Sequence, residues 1–139
     1  MSIEEENKAI IGRIIREAFN KGDLSVADEG IADDYIFHGF MELRGVEGFK
    51  QMITMSRTAF PDFHATIEDM VGEGDKVACR FIMRGTFKGE FMGIAPTGKE
   101  MSLPEASFIY FKDGKEVEVW SYIDNLSFYQ QLGITPPGQ

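Results

Sequence analysis

Cysteine and histidine are nearly missing from this chain: 139 residues contain one cysteine, Cys79, and two histidines, His38 and His64. A lone cysteine cannot close an internal disulfide, and two imidazoles beside it leave too few soft ligands for a zinc cage. The expected fold therefore needs neither staple nor metal, no cofactor is called for, and the reducing cytoplasm is the expected compartment. Long apolar runs are lacking as well. None approaches the roughly 18 residues of a membrane-spanning helix, and Met1-Ser2-Ile3-Glu4-Glu5-Glu6 has neither the basic start nor the apolar core of a signal peptide. Basic residues number 14 against 23 acidic ones, a net charge of -9, which repels phosphate backbones and anionic lipid. Nucleic acid and membrane are thus set aside as partners.

What the chain has is apolar bulk, with 43% hydrophobic residues, 12 Phe and 8 Met. At this length a single domain, residues 1–139, can bury about 70% of its unfolded surface around one core. The first half has helical periodicity. Ser2 and Glu5 form a capping box, and Ile3, Ile10, Ile11, Ile14, Ile15, Ala18 and Phe19 recur at helical spacing until Asn20-Lys21-Gly22. Asp23 starts a shorter helix through Ile31. The stretch from Asp33 to Phe40 loses the period, and a third helix runs from Val46 to Ala59 until Pro61 ends it. The second half alternates as strands: 63–71, 76–87, 101–111 and 116–124, with Asp113-Gly114 as a hairpin turn. A last helix runs from an Asn125 cap to a Gly133 stop, with Pro136-Pro137 beyond. Helices first and an antiparallel meander second indicate an α+β domain with helices on one face of the sheet.

Alternation in the last strand puts Glu118, Trp120, Tyr122 and Asp124 on one face and Val117, Val119, Ser121 and Ile123 on the other. Neither is plainly a water face. If helices cover the Trp120 side, the Val/Ile side needs a second copy, which gives a homodimer through the sheet. Asp124 then sits beside aromatics that would raise its pKa towards a working range for proton transfer, although an Asp at this place also caps a following helix. His38, between Phe37 and Gly39-Phe40, is either an imidazole for proton transfer or a packed core residue. Glu105 lies inside a mostly apolar strand and points either to solvent or into a pocket. His64 has the setting of a solvated face, and Arg80 and Arg84 that of cross-strand ion pairs. Phe40, Met52, Phe91, Phe108, Trp120 and Tyr122 can line a pocket for a flat apolar molecule or simply fill a core.

Two motif matches carry no chemistry. Gly93-Ile94-Ala95-Pro96-Thr97-Gly98-Lys99-Glu100 has phosphate-loop spacing, but Glu100 stands where a Mg-binding Ser or Thr is required and a strand follows. Asn125-Leu126-Ser127 is a glycosylation sequon without a secretory signal.

Several segments in order, Ala59-Phe60-Pro61-Asp62-Phe63, Gly74-Asp75-Lys76-Val77, the run from Gly85 to Lys99, Asp113-Gly114-Lys115 with Trp120 and Asp124, and Gln131-Leu132-Gly133, resemble the SnoaL-like polyketide cyclases. These belong to the nuclear transport factor 2-like superfamily, whose fold is also called cystatin-like. The resemblance implies a cone-shaped curved antiparallel sheet packed against N-terminal helices, an apolar cavity, and frequent dimers or tetramers through the sheet. It also implies cofactor-free general acid/base chemistry, an aldol-like ring closure on a hydrophobic carbonyl compound, with the catalytic aspartate falling on Asp124. The chain departs from the pattern at Phe87, where many relatives have histidine, which leaves His38 as the substitute imidazole. Ketosteroid-isomerase-like or epoxide-hydrolase-like chemistry on the same scaffold, and a non-enzymatic binding module for an apolar metabolite, are the alternatives.

Overall fold

The computed structural model describes residues 1–136, so Pro137 of the expected terminal proline pair lies outside the described residues. The first helix, α1 (Ile3–Arg13), starts where Ser2 Oγ accepts the Glu5 N–H at 3.1 Å. It continues as a π-helical segment, Ile14–Phe19, a change of winding that apolar spacing alone does not reveal. A short α2 (Val26–Gly30) leads into β1 (Ile31–His38), then β2 (Glu42–Arg44) and the long α3 (Gly45–Ala59). Four strands follow, β3 (His64–Glu73), β4 (Lys76–Thr86), β5 (Glu100–Lys112) and β6 (Lys115–Ile123), and α4 (Asn125–Leu132) ends the described chain.

The six strands form one sheet in the order β2-β1-β6-β5-β4-β3. All neighbours are antiparallel except β1 and β6, which run parallel, so the sheet is mixed rather than wholly antiparallel as expected. β1 and the three-residue β2 are the strands missing from the sequence reading, and β1 is the longer of them. The inward residues of β1, Ile31, Tyr35 and Phe37, are buried, but the register shifts between Ile31 and Ile36 and exposes Asp33 and Asp34, which breaks the alternation. The β5–β6 turn forms as expected: Asp113 (φ 52) and Gly114 (φ 76) both occupy left-handed backbone.

The helices pack on one face of this sheet, and the core between them includes Ile11, Tyr35, Phe49, Ile53 and Leu103, each at 1% exposure. Two side chains tie the helical layer to the β3 edge. The Asn20 amide pairs with both backbone groups of Ala65 at 2.8 and 3.0 Å, imitating a neighbouring strand. Arg57 donates to the carbonyls of Phe19 and Asn20 at 2.9 and 3.1 Å, closing the end of the π-helical segment. On the far side of α3, the N–H groups of Lys88 and Gly89 donate to Ala59 O at 3.0 and 3.1 Å. Gly89 is required there, because a Cβ would lie 1.9 Å from Thr58 O.

Candidate functional site

A cavity of about 290 Å³ lies between the helices and the inner face of the sheet. Its walls are mostly Phe and Met, including Met52, Phe60, Met83 and Met101. Phe40 stands at the rim, half-exposed, with its ring 6.0 Å from Phe37 and 6.4 Å from Phe91. The turn beside it carries Phe91 and Met92, the latter held in left-handed backbone (φ 50) by the pairing of Phe91 with Ile94. Such a lining suits a flat apolar ligand, and the volume is close to the roughly 300 Å³ at which ligand pockets begin.

One carboxyl breaks the apolar lining. On β5 the inward side chains are Leu103, Glu105, Ser107 and Ile109, so alternation turns Glu105 into the cavity while Pro104 and Ala106 face outwards. Ser121 on the adjacent β6 donates its hydroxyl proton to Glu105 Oε2. Burial raises the Glu105 pKa from its ordinary value, and the Ser121 hydrogen bond partly opposes that rise. The surface Glu105 retains is cavity surface. A carboxyl whose pKa burial raises, in a mostly apolar pocket, can take a proton from, or return one to, a carbonyl compound bound beside it.

Behind the main cavity is a smaller chamber of about 50 Å³, and Glu105 lines both. Glu116 enters this chamber at 4% exposure, its pKa pushed up to about 8 by burial. Simple alternation from Trp120 through Glu118 would place Glu116 outside. The register shift opposite Tyr110 and Phe111 inserts an extra residue and turns it in.

Several sequence-predicted residues lie elsewhere. From Glu118 onwards the alternation along β6 holds, but the sides are the reverse of the expectation: helices cover Val119, Ser121 and Ile123, while Trp120 and Tyr122 face outwards at 40% and 57% exposure. Phe108, directly opposite Trp120 on β5, is exposed with them. His38 is also on this outer face, its ring stacked on Trp120 at 3.9 Å and its Nε2 2.9 Å from Glu118 Oε2. Asp124 is exposed, and its Oδ1 accepts the Ser127 N–H at 3.0 Å as the cap of α4, the place expected of Asn125. Neither Asp124 nor His38 lines the cavity, because both share the outward parity of Trp120 or pair with it. Phe40, Met52, Phe91 and Glu105 are brought together as expected around a pocket; Trp120, Tyr122 and Phe108 are not. His64 sits exposed beside Thr66, and Arg80 and Arg84 are exposed without an ion pair among the described residues.

A mixed sheet closed by helices over an apolar pocket with an internal carboxyl defines the class of this α+β domain. The sequence profile of the SnoaL-like polyketide cyclases matches residues 9–132, and the chain belongs to that family. It is 31% identical over 133 residues to the aklanonic acid methyl ester cyclase AcmA of Streptomyces galilaeus, covering 92% of this chain and 91% of that one. Among solved structures, TsrD of Streptomyces laurentii superposes with a TM-score of 0.87 at 25% identity, over 97% of this chain and 100% of that one. IdmH of Streptomyces antibioticus superposes with a TM-score of 0.77 at 35% identity, over 92% and 99%. The fold is thus the α+β, nuclear transport factor 2-like one that the sequence implied.

Proposed function

We propose that this protein is a cofactor-independent cyclase that closes a ring in an apolar polyketide ester, with Glu105 as the group that moves the proton. The observation that carries this reading is the one carboxyl that the described residues place in the wall of the main cavity, held by Ser121 and set among Phe and Met. The substrate class follows the relatives, which are aklanonic acid methyl ester cyclases, and it agrees with the apolar lining. In the reaction, Glu105 carboxylate takes a proton from the carbon beside a carbonyl. The resulting enolate carbon attacks a second carbonyl of the same molecule, and the alkoxide formed there receives the proton that Glu105 took, which restores the carboxylate. One C–H and one C=O become one C–C and one O–H, so the mass is unchanged. The surrounding Phe and Met exclude water, and the enolate is thereby protected from quenching.

A carboxyl in the wall supports catalysis over simple binding, since a pocket meant only to hold an apolar metabolite gains nothing from a buried acid. The test is to incubate the protein with polyketide methyl esters and follow ring closure by NMR at constant mass. Conversion by the wild type and its loss in Glu105→Gln support the proposal. Binding without conversion contradicts it.

The assembly that fits is a homodimer through the outer face of the sheet, not through the Val/Ile side. Phe108, Trp120 and Tyr122 form an exposed aromatic patch on adjacent strands, an arrangement soluble monomers rarely leave uncovered. No helix among the described residues is long and apolar enough to cross a membrane. Cytoplasmic residence accords with Cys79, a buried free thiol whose pKa is raised to about 12 by burial.

A further inference from the structure

We infer that Ser56 on α3 is a further catalytic residue of the main cavity, its hydroxyl donating a hydrogen bond to the oxygen of the substrate carbonyl whose neighbouring carbon gives its proton to Glu105. The inference rests on the proposed role of Glu105 and supplies what that step lacks. Taking a proton from the carbon beside a carbonyl moves negative charge onto the carbonyl oxygen, and an oxyanion among Phe and Met side chains needs a donor. Ser56 keeps its own proton throughout.

Among the described residues, the side chains with nitrogen or oxygen atoms that line this cavity are Ser56, Glu105, Ser121, Asn125 and Tyr129. Glu105 is the acceptor, and Ser121 has committed its hydroxyl proton to Glu105 Oε2. Asn125 is exposed at the start of α4, where water competes for its amide, and Tyr129 lies one turn further along the same helix. Ser56 is the one donor carried by α3, on the helical wall across from the sheet.

Helical spacing fixes where Ser56 stands. Met52, Ser56 and Phe60 follow one another at four-residue intervals, and all three line the cavity as one stripe. Met52 also lines the smaller chamber, as Glu105 does, so both stand where the two spaces meet. Ser56 is one helical turn from that junction, with its Cβ about 5–6 Å from that of Met52. A serine inside a helix ordinarily returns its hydroxyl to the carbonyl four residues back or turns it to water. Ser56 makes no side-chain hydrogen bond among the described residues, and it is not sealed either. Side-chain atoms both buried and unpaired belong only to Asn7 among the described residues, so the half-buried Ser56 Oγ opens onto free space, and the space it lines is the cavity. The same reasoning applies to Glu105, whose Oε1 has no protein partner while Ser121 holds Oε2. A free carboxylate oxygen on the sheet wall and a free hydroxyl on the helical wall thus serve one cavity, and a flat carbonyl compound between the walls meets both.

The test pairs kinetics with infrared spectroscopy. In ring closure of a polyketide methyl ester, Ser56→Ala is expected to lower kcat by about 10²- to 10³-fold with KM little changed, because the donor matters most once the oxygen carries charge. Ser56→Thr, which keeps a hydroxyl, recovers most of that loss. The second arm needs no turnover: acetylnaphthalene, a flat apolar ketone labelled with ¹³C at its carbonyl, is bound to the wild type and to Ser56→Ala. The bound carbonyl stretch is expected at lower frequency in the wild type, where a donor meets the oxygen, and to move up in Ser56→Ala. Equal stretches in the two proteins, or no binding of the ketone by the wild type, overturn the inference; so does an unchanged kcat in Ser56→Ala. Should Glu105→Gln retain ring closure while the stretch still moves in Ser56→Ala, the reading of Glu105 falls and the Ser56 donor stands. Equal stretches with Glu105 essential give the reverse.

Discussion

Glu116 is an acid that the folded chain keeps neutral. The folded protein binds its proton up to about pH 8, whereas the unfolded chain releases it near the ordinary value of 4.5. Between those values the folded state holds the extra proton, so stability falls as pH rises and levels off above about 8. The full effect is at most about 5 kcal/mol. Urea denaturation at several pH values is expected to show this slope in the wild type and a shallower one in Glu116→Gln, where the raised Glu105 pKa still contributes. A wild-type stability that rises through the same window contradicts the burial account. At this scale the sequence was only partly legible. Glu105 was visible as an acid in an apolar strand, and Phe40, Met52 and Phe91 as lining. Glu116 was hidden because a bulge reversed its parity, and Ser121 because a small hydroxyl among apolar neighbours gives no signal.

Among the elements, most of the regular ones could be read from the chain. α3, the β3–β6 meander and α4 fall within a few residues of their expected spans, since each has a clean period and a recognisable stop. β1 could not be read, as its two exposed aspartates interrupt the pattern and its parallel partner lies some eighty residues away in register, His38 opposite Trp120. The joint between α3 and the loop after β4 depends on one close approach. Gly89→Ala would drive a Cβ into the Thr58 carbonyl at 1.9 Å, and the only relief is to separate the loop from the helix end. The expected cost is about 2–3 kcal/mol, measured as a lower urea midpoint with an unchanged slope. A midpoint equal to the wild type means the loop does not pack as described.

For the whole molecule, the sheet has one face committed to the cavity and one left with exposed aromatics, and which face was which could not be told from β6 alone. Alternation separates two faces without saying which the helices cover; both carried apolar residues. The proposed dimer uses the outer face, and Tyr122→Lys with Trp120→Lys is expected to give a monomer by light scattering while the fold is retained, as these side chains contribute little to the core. An unchanged dimer in that variant places the interface elsewhere. The inner face leads to catalysis, and here resemblance and geometry diverge: the family pattern falls on Asp124, the cavity on Glu105. Measuring kcat/KM for ring closure of a polyketide methyl ester in Glu105→Gln and Asp124→Asn side by side separates them. The expected result is a loss of about 10²- to 10⁴-fold for Glu105→Gln, with Asp124→Asn close to wild type. Near-wild-type activity in Glu105→Gln, with the loss in Asp124→Asn instead, would contradict the assignment of the base.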